Sequence, residues 1–164
     1  MKAILLSIRP KWVEKILKGK KTIEVRKTAP MCDLPIDVYI YATKYKHDWV
    51  IKDGVSVYDD WVKINGKVVA RFTLKRLEVV FNHSANTPFP PYDAIRCQSQ
   101  KAKNDEFLKQ SCLTQKQVTE YIGKDNIGWS WRIDDLAILD EPLPLDAFKV
   151  RRAPQNWQYV EVAP

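Results

Sequence analysis

Short apolar runs and alternating polar and apolar positions divide the chain into strands and a few short helices. Residues 2–8 form an apolar run that predicts a buried first strand. Residues 22–26 alternate in character, which predicts a second strand with one buried face. Between them, apolar side chains follow helical spacing from Pro10 to Leu17, and Gly19 is placed to end that helix. The opening segment is therefore predicted as a strand, a helix and a strand.

The rest of the chain carries similar signals. Further strands are expected at residues 37–42, 67–74 with a continuation towards 81, 128–133, 136–139 and 157–162. The dipeptide Asn65-Gly66 indicates a hairpin turn before the long central strand. Asn104 and Thr114 are placed to cap two short helices at residues 105–110 and 115–122.

Two segments interrupt these elements and are interpreted as insertions. Residues 44–61 are rich in Lys, Asp and aromatic side chains, and residues 82–125 begin with a loop, 82–92, that contains three prolines. No repeat, low-complexity tract or linker divides the chain, so a single domain over residues 1–164 is predicted. Several strands with a few short helices indicate an α+β domain, a small mixed barrel.

The excess positive charge of the chain lies at its N-terminal end. The formal net charge is +7, from 27 Lys and Arg against 20 Asp and Glu. Residues 1–27 hold nine basic and two acidic side chains, a net +7, so the remaining residues sum to zero. A local basic patch is typical of proteins that bind a polyanion, most often nucleic acid. The alternative is a solvated, lysine-rich helix face.

Composition and the lack of common motifs exclude several classes of protein. An apolar fraction of 45% with 29% charged residues is typical of a globular protein, and no apolar run approaches the roughly 20 residues of a membrane helix. Cys32, Cys97 and Cys112 form no C-x-x-C pair, which predicts free thiols in a cytoplasmic setting. With two histidines and no phosphate-binding loop or hydrolase motif, neither a metal site nor a cofactor is expected.

The strongest candidates for chemistry lie on the second strand. Strand parity directs its two apolar residues towards the core and places Thr22, Glu24 and Arg26 on the other face. An arginine there can donate two parallel hydrogen bonds to a phosphate or a base edge. Lys21, just before the strand, is a candidate general base. The alternative is a solvent-exposed ion pair with no function.

Aromatic side chains accompany these basic residues. The helix starts with Arg9-Pro10-Lys11-Trp12, and a later strand carries Trp129 and Trp131 on one side. A single-stranded base needs an aromatic or guanidinium plane for stacking, with basic side chains near its phosphate. Arg9 and Lys11 are therefore predicted to hold phosphate, and Trp12 to stack on a base. For most of the tryptophans, packing in the core is the alternative.

Two stretches of the chain resemble a known family. The segments LSIRPKW (residues 6–12) and ILKGKKTIEVR (residues 16–26) are similar to the signature of the ASCH domain, a strand and a helix followed by G-x-K-x-x-E-x-R. The central strands are similar more loosely, and residues 152–160 resemble a form found in bacterial and phage members. The position of the motif, one helix after a first strand, makes the match stronger than its letters alone.

The resemblance implies a PUA-like mixed β-barrel with short flanking helices and a cleft between the barrel and the first helix. ASCH proteins are thought to bind RNA or nucleotide-like ligands in that cleft. On the motif, Lys21, Glu24 and Arg26 match the lysine, acidic and arginine positions of the family. Some small members deacylate a modified cytidine with a lysine, a threonine and a glutamate, and another has been described as a ribonuclease.

One departure from the deacylating members weakens the case for that activity. Their nucleophilic threonine occupies the position of Glu24, and Thr22 lies two residues too early to replace it. Their acidic partner would fall on the long central strand, where Glu78 is the candidate. The resemblance therefore favours ligand binding over amide hydrolysis.

Three hypotheses follow from the sequence. The first is a module that binds RNA or a nucleotide-like ligand in a basic cleft through six side chains, Arg9, Lys11, Trp12, Lys21, Glu24 and Arg26. The second is a hydrolase, either a nucleoside amidohydrolase or a ribonuclease, in which Lys21 is the base and Glu24 a second acid/base or water-orienting group. The third is a protein-interaction domain. No membrane partner is expected.

Overall fold

Strands and short helices alternate along the part of the chain that the computed structural model describes, residues 1–45, 50–51, 62–82, 88–89, 100–123 and 126–162. In chain order they are β1 (Lys2–Ile8), α1 (Pro10–Leu17), β2 (Ile23–Arg26), β3 (Ile36–Ala42), β4 (Val50–Ile51), β5 (Val62–Lys63), β6 (Val68–Leu74), β7 (Leu77–Asn82), β8 (Pro88–Phe89), α2 (Gln100–Ser111), α3 (Gln115–Ile122), β9 (Ile127–Arg132), β10 (Asp134–Leu143), a 3₁₀ helix (Leu145–Phe148) and β11 (Trp157–Glu161).

The first of two compact units contains a five-stranded sheet. It comprises Met1–Gly19, Pro35–Leu74 and Asp134–Pro164. The strand order is β10-β6-β3-β1-β11, in which β1 and β3 are parallel and the other neighbours are antiparallel. A parallel pair needs a long connection, and α1 and β2 lie in the chain between β1 and β3.

One face of this sheet packs against the 3₁₀ helix. Phe148 of that helix is buried in a cluster with Tyr41 of β3, and its ring meets the ring of Tyr39 edge-on at a centroid distance of 4.9 Å. The remaining buried members of the cluster are Ala3, Leu5, Val68 and Val160. The strand β1 is buried from its second residue to its last, as its continuous apolar run predicts.

The second unit packs a four-stranded sheet against two helices. It comprises Lys20–Leu34 and Lys75–Ile133, and its strand order is β2-β9-β7-β8. The buried cluster of this unit takes side chains from β2, β7, α2 and α3, namely Ile23, Val25, Val80, Phe107, Val118 and Ile122. Alternate residues of β2 therefore reach the core, as the sequence pattern predicts.

A long central strand is predicted over 67–74 with a continuation towards 81, and the predicted continuation is wrong. The strand β6 ends at Leu74 and β7 begins at Leu77, and the two belong to different sheets. Asn65-Gly66 does form a turn, with Gly66 at φ +74°, a conformation that favours glycine. The turn does not join a hairpin, because β6 pairs with β3 and β10 whereas β5 pairs with β4.

The observed helix starts and loops agree with the sequence-based predictions only in part. Thr114 caps α3 and forms a capping box with Gln117, which confirms the predicted start. The helix α2 begins at Gln100, so Asn104 lies inside it and the predicted cap is wrong. Two residues of the predicted loop form β8, which pairs with β7. Asn82, the first residue of the predicted loop, ends β7. The rest of that loop, and most of the insertion at 44–61, lie outside the described residues.

The predicted α+β class is confirmed, because the described residues form sheets with short helices packed on them. A closed barrel is not confirmed. Each of the larger sheets is open among the described strands, with β10 and β11 at the ends of one and β2 and β8 at the ends of the other. The assignment of residues 1–164 to one domain stays a prediction. None of the described helices is long and apolar enough to cross a membrane.

Candidate functional site

The helix α1 separates an apolar face from a basic face. Pro10 occupies its first turn, where a missing N–H leaves no intrahelical hydrogen bond unmade. The buried residues are Pro10, Val13, Ile16 and Leu17. Gly19 follows the C-cap with φ +67°, the left-handed conformation that commonly ends a helix. The basic residues of this segment therefore lie on the side of the helix that faces away from the core.

Trp12 lies half-buried on the basic face of α1, beside two lysines. Lys11 Nζ is 4.7 Å and Lys15 Nζ is 5.0 Å from the centroid of a Trp12 ring. Cation–π contacts of this kind are worth about 0.5–1 kcal/mol at exposed sites. Two ammonium groups are thereby held next to a partly exposed aromatic plane, which is the pairing that phosphate and base contacts require.

The positive charge of α1 is only partly neutralised within the helix. Glu14 Oε1 pairs with Lys18 Nζ at 2.6 Å, one turn further along. Among the described residues, no carboxylate pairs with the other basic side chains of this segment, Arg9, Lys11 and Lys15. The exposed face of α1 therefore carries an excess of cations.

The strand β2 is buried on both faces, although only two of its four residues are apolar. Glu24 and Arg26 project away from the core of the second unit, and they lie opposite Trp131 and Trp129 of β9. Trp131 is fully buried. The prediction of which β2 residues share a face, and that Trp129 and Trp131 lie on one side of β9, is therefore confirmed. The face of β2 that carries Glu24 and Arg26 is nevertheless buried and not exposed to solvent.

Glu24 lies between two cations. Its Oε2 is 3.1 Å from Lys21 Nζ, and its Oε1 is 3.1 Å from Arg26 Nε. The exposed fractions are 2% for Lys21 and 7% for both Glu24 and Arg26. The structure thus brings together the three motif residues, here called the β2 triad. The alternative of a solvent-exposed ion pair is wrong, because all three side chains are buried.

The C-terminal end of α2 holds the residues that precede β2. The Thr22 N–H donates to the Gln110 carbonyl at 2.9 Å, and Lys21 Nζ donates to the Ser111 carbonyl at 2.7 Å. The last carbonyls of a helix have no intrahelical donor, and a cation beside them is favourable. Lys21 therefore caps α2 as well as pairing with Glu24. Both of these contacts are with oxygen acceptors, so this ammonium group acts as a donor.

Sequence reasoning missed the contact with Ser111. The two residues are 90 positions apart, and the contact is made by a backbone carbonyl, which every residue carries. No residue-type pattern could therefore have indicated it. A lysine immediately before a short buried strand is the only related signal in the sequence.

Two predicted residues, Thr22 and Glu78, do not join the β2 triad. Thr22 precedes β2 and is exposed. Glu78 of β7 lies opposite Ser130, which in turn lies opposite Val25, so its side chain is on the face of the sheet away from Glu24. The triad therefore lacks both the threonine and the second carboxylate that the amidohydrolase hypothesis requires.

No group of three or more His, Cys, Asp or Glu side chains is placed to hold a metal ion within the described ranges. The free thiols that the structure describes, Cys32 and Cys112, are half-buried. Cys97 lies outside the described residues. The polar chemistry thus lies in two separate candidate regions. In the second unit it consists of Lys21, Glu24 and Arg26, on and just before β2. In the first unit it consists of lysines beside the indole ring of α1.

Comparison with known proteins identifies the motif. The family model for the ASCH domain matches residues 6–124, which cover the α1 segment and the β2 triad. ASCH domains are PUA-like RNA-binding domains. No curated protein matches the chain in sequence.

Solved structures of an ASCH protein share this fold. The crystal structure of ASCH from Zymomonas mobilis is 16% identical, with a TM-score of 0.63, and the match covers 97% of this chain and 87% of that chain. A tyrosine-to-phenylalanine variant of that protein gives 17% identity and a TM-score of 0.64, with 98% and 91% covered. A serine-to-alanine variant gives 16% and 0.64, with 97% and 88% covered.

Proposed function

Because the chain belongs to the ASCH domain family, we propose that it binds RNA or a nucleotide-like ligand. The observation that carries this proposal is the half-exposed Trp12 with the ammonium groups of Lys11 and Lys15 beside its ring. Arg9, at the N-cap of the same helix, adds a further exposed cation. In this proposal Trp12 stacks on a base, and the basic residues contact the adjoining phosphates.

The β2 triad has a separate place in the proposal. Three charged side chains on and next to a four-residue strand are buried, and desolvation makes such an arrangement a weak source of stability. A ligand-directed role accounts for it better, with Arg26 offering a planar donor to a phosphate or base edge. Lys21 and Glu24 then fix the position of that guanidinium group, and all three remain predicted ligand residues.

The contacts of Lys21 favour binding over hydrolysis. A general base must be free to accept a proton, whereas Lys21 Nζ donates to a carbonyl and lies beside a carboxylate. The hydrolase hypothesis is tested by turnover. Incubation with acylated cytidines and with RNA is expected to yield no product from the wild-type protein. Product formation that Lys21→Ala abolishes would establish the hydrolase instead.

Binding is tested with a fluorescently labelled single-stranded RNA dodecamer by anisotropy. The double variant Lys11→Gln/Lys15→Gln removes one exposed and one half-buried cation, each worth up to about 1 kcal/mol, so affinity is expected to fall by up to about thirtyfold. Lys18→Gln is the matched control, since Lys18 is already paired with Glu14. Equal affinities for the wild type, the double variant and the control would exclude α1 as the binding surface.

A further inference from the structure

A cavity of about 700 Å³ lies within the first unit, and none of the residues of the proposed RNA-binding site lines it. This cavity is called the Tyr41 pocket. Its lining includes three basic side chains, together with a tyrosine and apolar residues of the segment around the 3₁₀ helix, namely Lys44, Lys149, Arg151, Tyr41, Leu145 and Val150. Sites for small organic ligands have volumes of roughly 300–1,000 Å³, so the pocket is large enough for a nucleotide-sized molecule.

One wall of the Tyr41 pocket is built by the residues after β3 and the turn before β6. The Tyr45 N–H donates to Asn65 Oδ1 at 2.7 Å, and Asn65 Nδ2 donates to the Tyr45 carbonyl at 3.2 Å. The stem of Lys44 lies so close to Gly66 that an added Cβ there would be 2.9 Å from Lys44 Cγ. Reciprocal hydrogen bonds and the missing glycine side chain thus fix where Lys44 leaves the backbone.

Another part of the lining is built by the 3₁₀ helix and the residues that follow it. Phe148 anchors this helix in the buried cluster of the first unit. Lys149 then adopts a left-handed conformation with φ +55°, and its N–H donates to the Asp146 carbonyl at 2.8 Å. This conformation costs a residue other than glycine about 1–2 kcal/mol. The turn places Lys149 and Arg151 on the lining of one cavity.

The charge balance of the Tyr41 pocket is positive. Lys44, Lys149 and Arg151 are exposed, and no carboxylate among the described residues forms an ion pair with them. The single acidic residue of the lining, Asp146, accepts the Ala147 N–H at its Oδ1. Three cations against one carboxylate that is partly engaged leave a net charge of +2.

The tyrosine of the pocket adds a neutral donor. Tyr41 is only 2% exposed, and this burial raises the pKa of its hydroxyl above the ordinary value of 10.0. The hydroxyl therefore keeps its proton at neutral pH. A buried donor, exposed cations and apolar lining residues are the features expected around an anionic group carried by a larger organic molecule.

We propose that the Tyr41 pocket binds a phosphate group of a nucleotide or of an RNA strand, with Lys44, Lys149 and Arg151 as its cationic contacts. Arginine can donate two parallel hydrogen bonds to phosphate, and lysine contributes a compact point charge. The remaining volume, lined in part by Leu145 and Val150, accommodates the sugar or base. The proposal shares no residue with the RNA-binding surface on α1, so the two can succeed or fail independently.

The test is a titration of the full chain followed by ¹⁵N–¹H NMR, with 5′-AMP, adenosine and a single-stranded RNA dodecamer as probes. Either phosphate-bearing probe is expected to shift the amide signals of Gly66 and Lys149, whereas adenosine should leave them unchanged. Arg151→Gln should weaken that binding by about tenfold or more, since hydrogen bonds to charged groups contribute about 1.5–3 kcal/mol.

The neighbouring residue supplies a matched control. Arg152→Gln removes the same charge one position along, at an exposed residue that does not line the pocket, and it should weaken binding less than twofold. Lys44→Gln tests the part of the lining that follows β3 and should weaken binding in the same direction as Arg151→Gln. A response to AMP alone identifies a free nucleotide as the ligand, and a response to RNA alone identifies a strand.

Three results would overturn the proposal. The first is the absence of shifts at Gly66 and Lys149 with either phosphate-bearing probe. The second is equal binding of adenosine and AMP, because it would show that phosphate is not recognised. The third is equal weakening by Arg151→Gln and Arg152→Gln, because it would reflect the overall charge of the protein and not contact in the pocket.

Discussion

The basic face of α1 and the β2 triad use the same residue types in opposite surroundings. On α1, Lys11 and Lys15 lie beside a half-exposed tryptophan, and no described carboxylate neutralises them. On β2, Glu24 lies 3.1 Å from Lys21 and 3.1 Å from Arg26, and all three are buried. One group is exposed and keeps an excess of charge, whereas the other is almost enclosed and its charges are largely paired.

This difference indicates two roles: the exposed cations of α1 attract a ligand, and the buried β2 triad positions it. Exposed cations cost little to maintain, are screened by salt and are available to a polyanion. Buried charges depend on their partners, since removal of one partner leaves another charge without compensation in a medium of low dielectric constant. Changes on α1 should therefore alter binding with little effect on folding, and changes in the β2 triad should alter folding first.

The largest effect is expected from Glu24→Gln. The substitution keeps the shape of the side chain but leaves two buried cations without a carboxylate, so the free energy of unfolding should fall by about 3–5 kcal/mol. Urea denaturation followed by circular dichroism measures the change. Glu14→Gln on α1 is the control and should cost less than about 1 kcal/mol, because its ion pair with Lys18 is partly exposed. Equal losses of unfolding free energy for the two variants would contradict the distinction between a buried triad on β2 and an exposed basic face on α1.

A smaller but still large loss is expected from Lys21→Met. The variant removes the ammonium group that caps α2 and pairs with Glu24, and it should lower the free energy of unfolding by about 3 kcal/mol. Lys20→Met, at the exposed neighbouring position, should change stability by less than about 0.5 kcal/mol. Hydrogen exchange should also speed up selectively in the last turn of α2. Unchanged protection there would contradict the capping role of Lys21.

Trp12→Ala is expected to act on binding and not on folding. Stacking of a base on an aromatic side chain is worth about 1–3 kcal/mol, so RNA affinity should fall by roughly fivefold or more. Trp12→Phe keeps an aromatic plane and should restore part of the loss. Anisotropy with a labelled RNA dodecamer measures both variants. If Trp12→Ala lowered the melting temperature strongly while RNA affinity stayed constant, Trp12 would be a packing residue.

Local patterns were sufficient to predict the opening segment of the chain. The strand β1, the helix with Pro10 near its start and Gly19 after its end, and the parity of β2 all depend on neighbours within a few positions. The capping box of Thr114 is local in the same sense. These features follow from backbone conformation and hydrophobic spacing, which the sequence displays directly.

Features that depend on distant parts of the chain could not be predicted in the same way. The break between Leu74 and Leu77 separates two sheets, yet only Lys75 and Arg76 lie between two segments that both have strand-forming residues. The burial of Glu24 and Arg26 depends on what covers that face of β2, and the Ser111 contact of Lys21 spans 90 positions. The alternation of β2 indicates which residues share a face but not whether water reaches it.

The salt dependence of RNA binding tests the central claim most directly. The logarithm of the affinity for a single-stranded RNA should fall linearly with the logarithm of salt concentration, with a slope of about −0.7 for each phosphate contacted. Lys11→Gln/Lys15→Gln should make that slope shallower by about 1.4, whereas Lys18→Gln should leave it unchanged. A wild-type affinity that does not vary with salt, or a slope that the double variant does not change, would contradict the assignment of phosphate binding to α1.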